Sequence, residues 1–526
     1  MNGASMGDSL VAGAALYWAA KQHRDRVAVV FGSRNLTYEQ VERRSNQFAN
    51  VLLGLNQRPG DRIAALLHNS IESIDSQFGA EKAAQTYVPL NVRHTLFEHA
   101  DVLRDAEASV LVAGAEFAEI AVQLPALVPS LRHVIGVGWW DTDANEYNAL
   151  LAKSSDRPPL LKVPAELLLK INYTSGTTGK PKGVAYTIER ANHRLINHFN
   201  AMEYPLGTND AMLHVGPLTH AAGFHVLPCY LRGATNVVAA RFDSAETLAL
   251  IAQYRITQLM VVPTMLARLL EACAGPGQKH DISSLHRIHY GTAPTPTKII
   301  HEALDRFGPI LRQQYGMTEA AQPLCVLYPH EHLDGATPSP RVASCGRPTM
   351  NVDITIRNAE GAALPNGDIG EIAVAHHGIG KVAFWRRPDL ERESIRDGWF
   401  YTGDLGYFDD QGFLYIAGRN KDMIISGGFN VYAREVEDAL LNHPAVVDAA
   451  VLGLPSEEWG EQVAAFVVLR KGQSVAADAL RKFCGERIAD YKKPRIIQFV
   501  GALPRNQSGK VSKNQLRDGY LSVALR

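Results

Sequence analysis

Residues 173–184 read YTSGTTGKPKGV, and an apolar, strand-like run, Leu167–Tyr173, leads directly into them. The glycines of this loop allow the backbone to approach an anion closely, while its hydroxyls and two lysines supply hydrogen-bond donors and positive charge. A loop with this content suits the phosphates of a nucleotide. It is not a P-loop, because that motif needs four residues between its glycines and a Ser or Thr after the lysine, whereas Pro181 follows Lys180 here.

Strand-like and helix-like segments alternate on both sides of this loop. Arg26–Phe31 and Arg62–Leu67 read as short buried strands, and Thr37 followed by Gln40 predicts a capped helix start. We interpret Tyr87–Leu90, which contains a proline, as a break in regular structure. The alternation predicts an α/β fold with largely parallel strands.

The final third of the chain changes character. After about residue 345, Val352–Arg357 alternates with period two, and a turn at Asn366–Gly367 precedes Glu371–Val374, a pattern typical of antiparallel β structure. Residues 150–166 contain three prolines and mixed charge, which predicts a linker or surface segment. From about Lys421 helical and strand-like patterns alternate again, which predicts a small separate domain.

The composition excludes several classes of protein. A length of 526 residues predicts three to four domain-sized units. Lys plus Arg total 53 and Asp plus Glu total 54, a net charge of −1, so there is no basic excess to hold nucleic acid through bulk charge. Five cysteines without zinc-type spacing predict reduced thiols in a cytoplasmic protein. We find no apolar run of 18 residues and no secretory signal, and expect no integral membrane association.

Further motifs follow the loop in order over nearly the whole chain. They are GPLTH (216–220), GTAP (291–294), YGMTE (315–319), YTGD (401–404), GRNK (418–421), GGFNVY (427–432) and PRNQSGK (504–510). Together with the loop, these motifs resemble the signature of the adenylate-forming (AMP-binding) superfamily, and most of all its acyl-CoA synthetases. Two departures are mild: Ala433 stands where the family has proline, and Ala83-Ala84 replaces the commoner Ala-Gly.

The resemblance implies an α/β fold in two parts. Residues 1–420 would form a large N-terminal adenylation domain of α/β subdomains plus a small β-barrel-like part, which holds ATP and the acid. Residues 421–526 would form a small mobile C-terminal α+β domain. The implied enzyme is an AMP-forming carboxylic acid:CoA ligase, which uses ATP, Mg²⁺ and CoA and makes acyl-AMP and pyrophosphate before the thioester. Two alternatives stay open: an adenylation enzyme that loads a carrier-protein phosphopantetheine, and a luciferase-like oxygenase. Whether the protein is a homodimer is left open.

The resemblance also assigns the nucleotide site residue by residue. The implied catalytic residues are Lys510, Thr318, Glu319 and His220, with Glu319 as the ligand of Mg²⁺ and Lys510 as the residue that bridges the carboxylate and the α-phosphate. The implied ATP-binding residues are Thr174, Ser175, Gly176, Thr177, Thr178, Gly179, Lys180, Lys182, Gly291, Ala293, Pro294, Tyr315, Gly316, Asp404 and Arg419.

The acid and the thiol are assigned in the same way. The implied acyl pocket consists of His220, Ala221, Phe224, His225, Gly316, Met317, Gln322 and Pro323. This mixture fits an aromatic, alicyclic or medium-length acyl group, and no arginine for a second carboxylate stands among these residues. The implied hinge is Lys421, and the implied CoA channel is formed by Gly427, Gly428 and Phe429.

Overall fold

The structure, a computed structural model, describes residues 10–138, 146–174, 181–202, 206–275, 280–320, 323–376, 382–505 and 511–524. The strands in these ranges are β1 (Leu10–Val11), β2 (Val27–Phe31), β3 (Arg34–Thr37), β4 (Arg62–Leu66), β5 (Thr86–Pro89), β6 (Ala108–Gly114), β7 (His133–Val137), β8 (Lys162–Val163), β9 (Leu168–Thr174), β10 (Lys182–Thr187), β11 (Ala211–His214), β12 (Thr235–Val238), β13 (Gln258–Val261), β14 (Arg287–Gly291), β15 (Leu311–Tyr315), β16 (Cys325–Leu327), β17 (Leu333–Asp334), β18 (Thr337–Pro338), β19 (Arg347–Pro348), β20 (Ile354–Arg357), β21 (Gly370–Ala375), β22 (Ile395–Arg396), β23 (Trp399–Phe408), β24 (Leu414–Arg419), β25 (Met423–Ser426), β26 (Phe429–Tyr432), β27 (Val446–Ser456), β28 (Gly460–Leu469) and β29 (Ile496–Phe499).

The α-helices of the same ranges flank these strands. They are α1 (Ala14–His23), α2 (Tyr38–Gly54), α3 (Ile71–Lys82), α4 (Leu96–Ala106), α5 (Ala118–Ala121), α6 (Leu124–Leu127), α7 (Tyr147–Lys153), α8 (Ile188–Asn200), α9 (Val226–Leu231), α10 (Ser244–Tyr254), α11 (Pro263–Ala274), α12 (Thr297–Phe307), α13 (Pro388–Ser394), α14 (Ala433–Leu441), α15 (Ala477–Gly485) and α16 (Lys513–Ala524). The predicted helix start at Thr37 is confirmed. The Thr37 hydroxyl accepts a hydrogen bond from the amide of Gln40, and the side-chain oxygen of Gln40 accepts one from the amide of Thr37.

A six-stranded sheet has the strand order β10-β9-β5-β4-β6-β7. It contains β9, which leads into the loop, and β10, which follows the loop. All its pairs are parallel except β10 with β9. Our interpretation of Tyr87–Leu90 as a break is wrong, since β5 is a buried central strand. The proline is tolerated because Pro89 is the last residue of the strand, and the next amide, of Leu90, donates to the carbonyl of Ala65 instead.

A nine-stranded sheet, in the order β19-β16-β15-β14-β13-β11-β12-β2-β3, forms the second layer. Its six inner strands, from β15 to β2, pair in parallel, and antiparallel strands close both edges. Helices α10, α11 and α12 cover one face, where Leu213, Leu259 and Ile288 belong to one buried apolar cluster. Burial on both faces explains why these strands read as continuous apolar runs.

The last third follows the predicted change of pattern. Strands β20 to β24 form a five-stranded antiparallel sheet, and β25 to β29 form a separate mixed sheet against which α14 and α15 pack. The predicted fold class, a large N-terminal α/β region followed by a small C-terminal α+β domain, is confirmed. A short 3₁₀ turn, Asn420–Asp422, joins these two sheets, and the predicted boundary between residues 420 and 421 falls in this turn.

Candidate active site

The motifs converge at the carboxyl ends of the parallel strands. GTAP begins at the end of β14, YGMTE begins at the end of β15, and the GPLTH segment follows β11. These three strands lie within four consecutive positions of the nine-stranded sheet, β15-β14-β13-β11, so three segments that are far apart in sequence share one edge. In open α/β sheets this is the edge at which ligands bind.

A buried arginine holds the turn that carries Thr318 and Glu319. Arg190, which is 1% exposed, donates to the carbonyl oxygens of Ala185 at 2.7 Å, Glu319 at 2.5 Å and Thr318 at 3.4 Å. The hydroxyl of Tyr186 also donates to the carbonyl of Thr318. The side chain of Glu319 lies toward β9, where its Oε1 accepts a hydrogen bond from the hydroxyl of Thr174 at 3.5 Å. The turn is therefore fastened to the strands on either side of the predicted phosphate loop.

Three of the predicted ATP-binding residues, Tyr315, Asp404 and Arg419, form one polar chain. The hydroxyl of Tyr315 donates to Oδ2 of Asp404 at 2.8 Å, and Nε of Arg419 lies 3.4 Å from Oδ1 of the same carboxylate. Asp404 and Arg419 face each other across β23 and β24. Burial and the neighbouring carboxylate raise the pKa of the Tyr315 phenol well above its ordinary value, so it stays protonated and donates.

The GTAP turn is strained. Gly291 has φ +147°, and a Cβ there would lie 2.2 Å from the carbonyl oxygen of Gln314. The next residue, Thr292, has φ +67°, a left-handed conformation that a β-branched residue rarely adopts. Such strain clusters at ligand sites, and Thr292 lines a cavity at this edge of the sheet.

A cavity at this edge contains most of the predicted acyl-pocket residues. Its lining is formed by Arg194, His198, Ala221, Phe224, His225, Met260, Thr292, Gln314, Tyr315, Gly316 and Pro323. Met317, by contrast, packs against the apolar cluster that includes Ile354 and Ile372. Gln322 lies outside the described residues.

Three buried histidines contact one another at this cavity, and two of them, His198 and His225, line it. The rings of His198 and His225 are 5.1 Å apart, and those of His225 and His289 are 5.0 Å apart. Nδ1 of His289 lies 3.2 Å from a guanidinium nitrogen of Arg312, which only donates, so His289 carries its proton on Nε2 and donates it to Gln258 at 2.9 Å. Burial lowers the pKa of all three histidines, and they are neutral at pH 7.

His220 directly precedes Ala221, a residue that lines this cavity, and is partly buried. Its Nδ1 is 2.8 Å from the hydroxyl of Thr219. Burial lowers the pKa of His220, and the positive charges of Arg93 and Lys170 lower it further. A neutral imidazole among cations suits a position beside an anionic carboxylate.

Sequence reasoning missed several residues of this site. Arg190, Arg194 and His198 stand on α8, outside every motif, and His289 stands inside β14. A usable signal existed for α8: positions 190, 194 and 198 recur every four residues and therefore share one helical face. Thr292 stands inside the GTAP motif itself, and only its backbone conformation distinguishes it.

Several predicted residues fall outside the described part of the chain. The loop residues Ser175, Gly176, Thr177, Thr178, Gly179 and Lys180 do so, as does Lys510. Lys182 starts β10 opposite Thr174, so the loop connects two antiparallel strands. Lys421 is exposed in the 3₁₀ turn between two sheets.

The Gly427-Gly428 pair has a local structural explanation. Both residues have positive φ, +58° and +82°, in the two-residue turn between β25 and β26. A Cβ on Gly427 would lie 2.6 Å from the Trp459 ring. The adjacent Phe429 is 57% exposed and packs on Tyr491 with ring centroids 4.8 Å apart.

The comparisons with known proteins agree with this geometry. The AMP-binding enzyme model matches residues 16–382, and the model of the AMP-binding enzyme C-terminal domain matches residues 435–510. The chain belongs to the AMP-binding enzyme family. Among curated proteins it is 35% identical over 500 residues to a feruloyl-CoA synthase of Amycolatopsis sp, covering 95% of this chain and 96% of that protein. It is 33% identical to the medium/long-chain-fatty-acid–CoA ligase FadD8 of Mycobacterium tuberculosis, covering 97% and 90%.

A solved structure shows the same arrangement over the full length. ATP-bound MatB from Rhodopseudomonas palustris superposes with a TM-score of 0.87 at 28% identity, covering 97% of this chain and 99% of that one. The predicted enzyme class, an AMP-forming acid–thiol ligase of the acyl-CoA synthetase type, is confirmed by these relatives. Across the described ranges, no helix is long and apolar enough to cross a membrane.

Proposed function

We propose that this AMP-binding enzyme joins a carboxylic acid to AMP at the edge of the nine-stranded sheet and then passes the acyl group to CoA. The observation that carries the proposal is the position of Glu319, whose carboxylate lies 3.5 Å from the Thr174 hydroxyl where the phosphate loop begins. This arrangement places a turn after β15 against the start of a loop suited to phosphate. The side chains of Tyr315, Asp404 and Arg419 provide polar groups and a ring that suit the nucleoside part of ATP.

The first step brings two anions together. A carboxylate oxygen attacks the α-phosphorus of ATP, and the bond to pyrophosphate breaks. The barrier is largely electrostatic, so the protein contributes positioning and positive charge. In our assignment the loop residues 174–182 hold the β- and γ-phosphates, Thr318 donates to the α-phosphate, and Lys510 bridges the α-phosphate and the acid. Asp404 and Arg419 bind the ribose, Tyr315 contacts the adenine, and His220 lies beside the acid.

The donors around Glu319 fit Mg²⁺. This ion is usually bound through one or two carboxylates together with substrate phosphates, and Glu319 with the Thr174 hydroxyl offers hard oxygen atoms where the phosphates are expected. When bound, Mg²⁺ would neutralise charge that develops on the phosphates. Its contact would be Glu319, a residue whose backbone Arg190 fixes.

The second step needs a thiol in place of pyrophosphate. The sulfur attacks the acyl carbonyl and AMP leaves. We assign this step to a second orientation of the C-terminal domain, residues 421–526, reached by backbone rotation at Lys421. The exposed 3₁₀ turn at this residue supports a hinge. The exposed ring of Phe429, beside the Gly427-Gly428 turn, supports a surface for the pantetheine arm of CoA.

The test is a panel of aromatic, alicyclic and fatty acids with ATP, Mg²⁺ and CoA, in which AMP and acyl-CoA are measured separately. We expect both products from at least one acid, and Glu319→Gln to lower the rate of AMP formation about 100-fold or more. Glu360→Gln, in an exposed turn, is the matched control and should change nothing. AMP without thioester would move the acceptor to a carrier-protein thiol, and no AMP from any acid would refute the proposal.

A further inference from the structure

Within the described residues, one basic side chain in the acyl cavity, Arg194, and a second one on β9, Lys170, have no carboxylate partner. The guanidinium of Arg194, which lines the cavity, lies 4.4 Å from the centroid of the Phe224 ring. Nζ of Lys170, on the neighbouring β9, lies 5.9 Å from the centroid of the Tyr87 ring. Within the described part of the chain, neither forms an ion pair with an Asp or Glu. The two charges are close enough that Arg194 lowers the pKa of Lys170, in addition to the larger effect of burial.

Three other inward-facing cations in the described part of the chain have partners. Arg44 lies 2.6 Å from a carboxylate oxygen of the buried Asp75, and Lys82 forms an ion pair with Glu42. Arg190 donates to three carbonyl oxygens. Taking a charge out of water without a partner costs several kcal/mol. Arg194 differs from these three cations, and it lies in the cavity where the acid is expected.

The lining of the cavity is positive and compact. None of its described lining residues is acidic. Ala221, Phe224, Met260 and Pro323 give it apolar walls, while His198 lies on its polar side. Nε2 of His198 is buried without a hydrogen-bond partner. Since burial keeps His198 neutral, the fixed charge in the lining comes from Arg194.

We propose that the acid activated by this enzyme carries a second carboxylate, which Arg194 binds in the acyl cavity while Lys170 contributes positive charge. A guanidinium presents a planar fork of donors that matches a carboxylate. The apolar walls would hold a compact body between the two acid groups, aromatic or short-chain. This inference rests on the proposed function, because it assumes that the cavity holds the acid. Arg194 is an arginine outside the pocket residues that the sequence assigned, among which none was identified for a second carboxylate.

The experiment compares matched acids that differ only in the second group: hexanoate with adipate, and benzoate with 3-carboxybenzoate. AMP formation gives kcat/KM for each, and the ratio of diacid to monoacid is the quantity read. For the wild-type enzyme we expect a ratio above one in at least one pair. Hydrogen bonds to charged groups are worth about 1.5–3 kcal/mol, so Arg194→Met should lower that ratio about 30-fold, while Arg194→Lys should keep part of it.

The control is Arg232→Met. The guanidinium of Arg232 also stacks on a phenylalanine, 4.7 Å from the Phe199 ring centroid, but it does not line the cavity. The ratio of diacid to monoacid kcat/KM in Arg232→Met should equal that of the wild-type enzyme. If Arg194→Met fails to fold, the ratio in the wild type and in Arg194→Lys decides.

The outcomes separate failure of this inference from failure of the proposed function. Monoacids that react while diacids stay inert would overturn this inference and leave the proposed function standing. The same holds if 4-hydroxybenzoate is preferred over both members of the benzoate pair, which would assign Arg194 to a hydroxyl. An unchanged ratio in Arg194→Met would also overturn it. Absence of AMP from every acid would refute the proposed function itself.

Discussion

Replacing Arg190 by methionine should separate alignment of the catalytic turn from stability of the fold. The substitution removes strong hydrogen bonds to the carbonyls of Ala185 and Glu319 and a long one to Thr318. Two charged hydrogen bonds at about 1.5–3 kcal/mol each amount to roughly 3–6 kcal/mol. Removing a buried charge recovers part of this, so we expect unfolding free energy to fall by about 2–4 kcal/mol.

The effect on catalysis should exceed what stability explains. A shift of about 1 Å in reacting groups can cost about 100-fold in rate, and the freed turn carries both Thr318 and Glu319. We therefore expect kcat for AMP formation to fall about 100-fold in folded Arg190→Met, with little change in KM for the acid. The assay is pyrophosphate release at saturating ATP, together with denaturant unfolding.

Arg62→Met is the matched control for this prediction. Arg62 also donates to three backbone carbonyls, of Ala106 at 2.6 Å, Glu107 at 3.0 Å and Gly60 at 3.3 Å, but in the six-stranded sheet away from the motifs. It should lose stability and keep kcat. If Arg190→Met loses stability to the same degree and keeps kcat within about 3-fold, Arg190 does not position the turn.

Three further predictions address the two half-reactions and pH. Lys510→Ala should abolish adenylate formation and leave thioester formation from supplied acyl-AMP largely intact; an unchanged ATP–pyrophosphate exchange rate would contradict its role. Lys421→Pro should impair thioester formation more than adenylation, and equal loss of both would count against a hinge. Burial, followed by repulsion from Arg194, lowers the pKa of Lys170 to about 7. The lysine, whose charged or titratable neighbours are Tyr87 of β5, Arg194 of α8 and His220, is thus charged below pH 7 and neutral above it. Because kcat/KM reports the free enzyme, its value for a diacid should decline as pH rises through about 7, and Lys170→Met should remove that decline; a flat wild-type profile would contradict the assignment.

The sequence predicted what is local and missed what depends on packing between distant segments. The strand before the loop, the Thr37 cap and the antiparallel region after residue 345 follow from short-range patterns, and the structure confirms them. Tyr87–Leu90 was misjudged because a local rule about proline cannot see that Pro89 ends its strand. The glycines at 427 and 428, which the resemblance assigns to the CoA channel, are also required by the hairpin backbone, and Gly427 by the Trp459 ring beside it; the sequence did not predict this local reason for them. Arg194 was missed because an arginine on a polar helix is normally solvated, and the four-residue spacing of Arg190, Arg194 and His198 was its only local signal.

Helix α8 links the parts of the site that the motifs leave unconnected. Arg190, Arg194, Asn197 and His198 stand at positions i, i+4, i+7 and i+8, which is one face of a helix. Arg190 holds the catalytic turn, Arg194 and His198 line the acyl cavity, and Asn197 donates to the carbonyl of Pro323, another lining residue, at 2.6 Å. The helix starts directly after β10, with Thr187 as its cap, so its position is set by the strand that leaves the phosphate loop. The proposed phosphate loop, the turn with Thr318 and Glu319, and the arginine proposed to select the acid are therefore all linked to one helix, which carries no signature. It follows that a change at position 194 can alter which acid is accepted while position 190 keeps the catalytic turn in place.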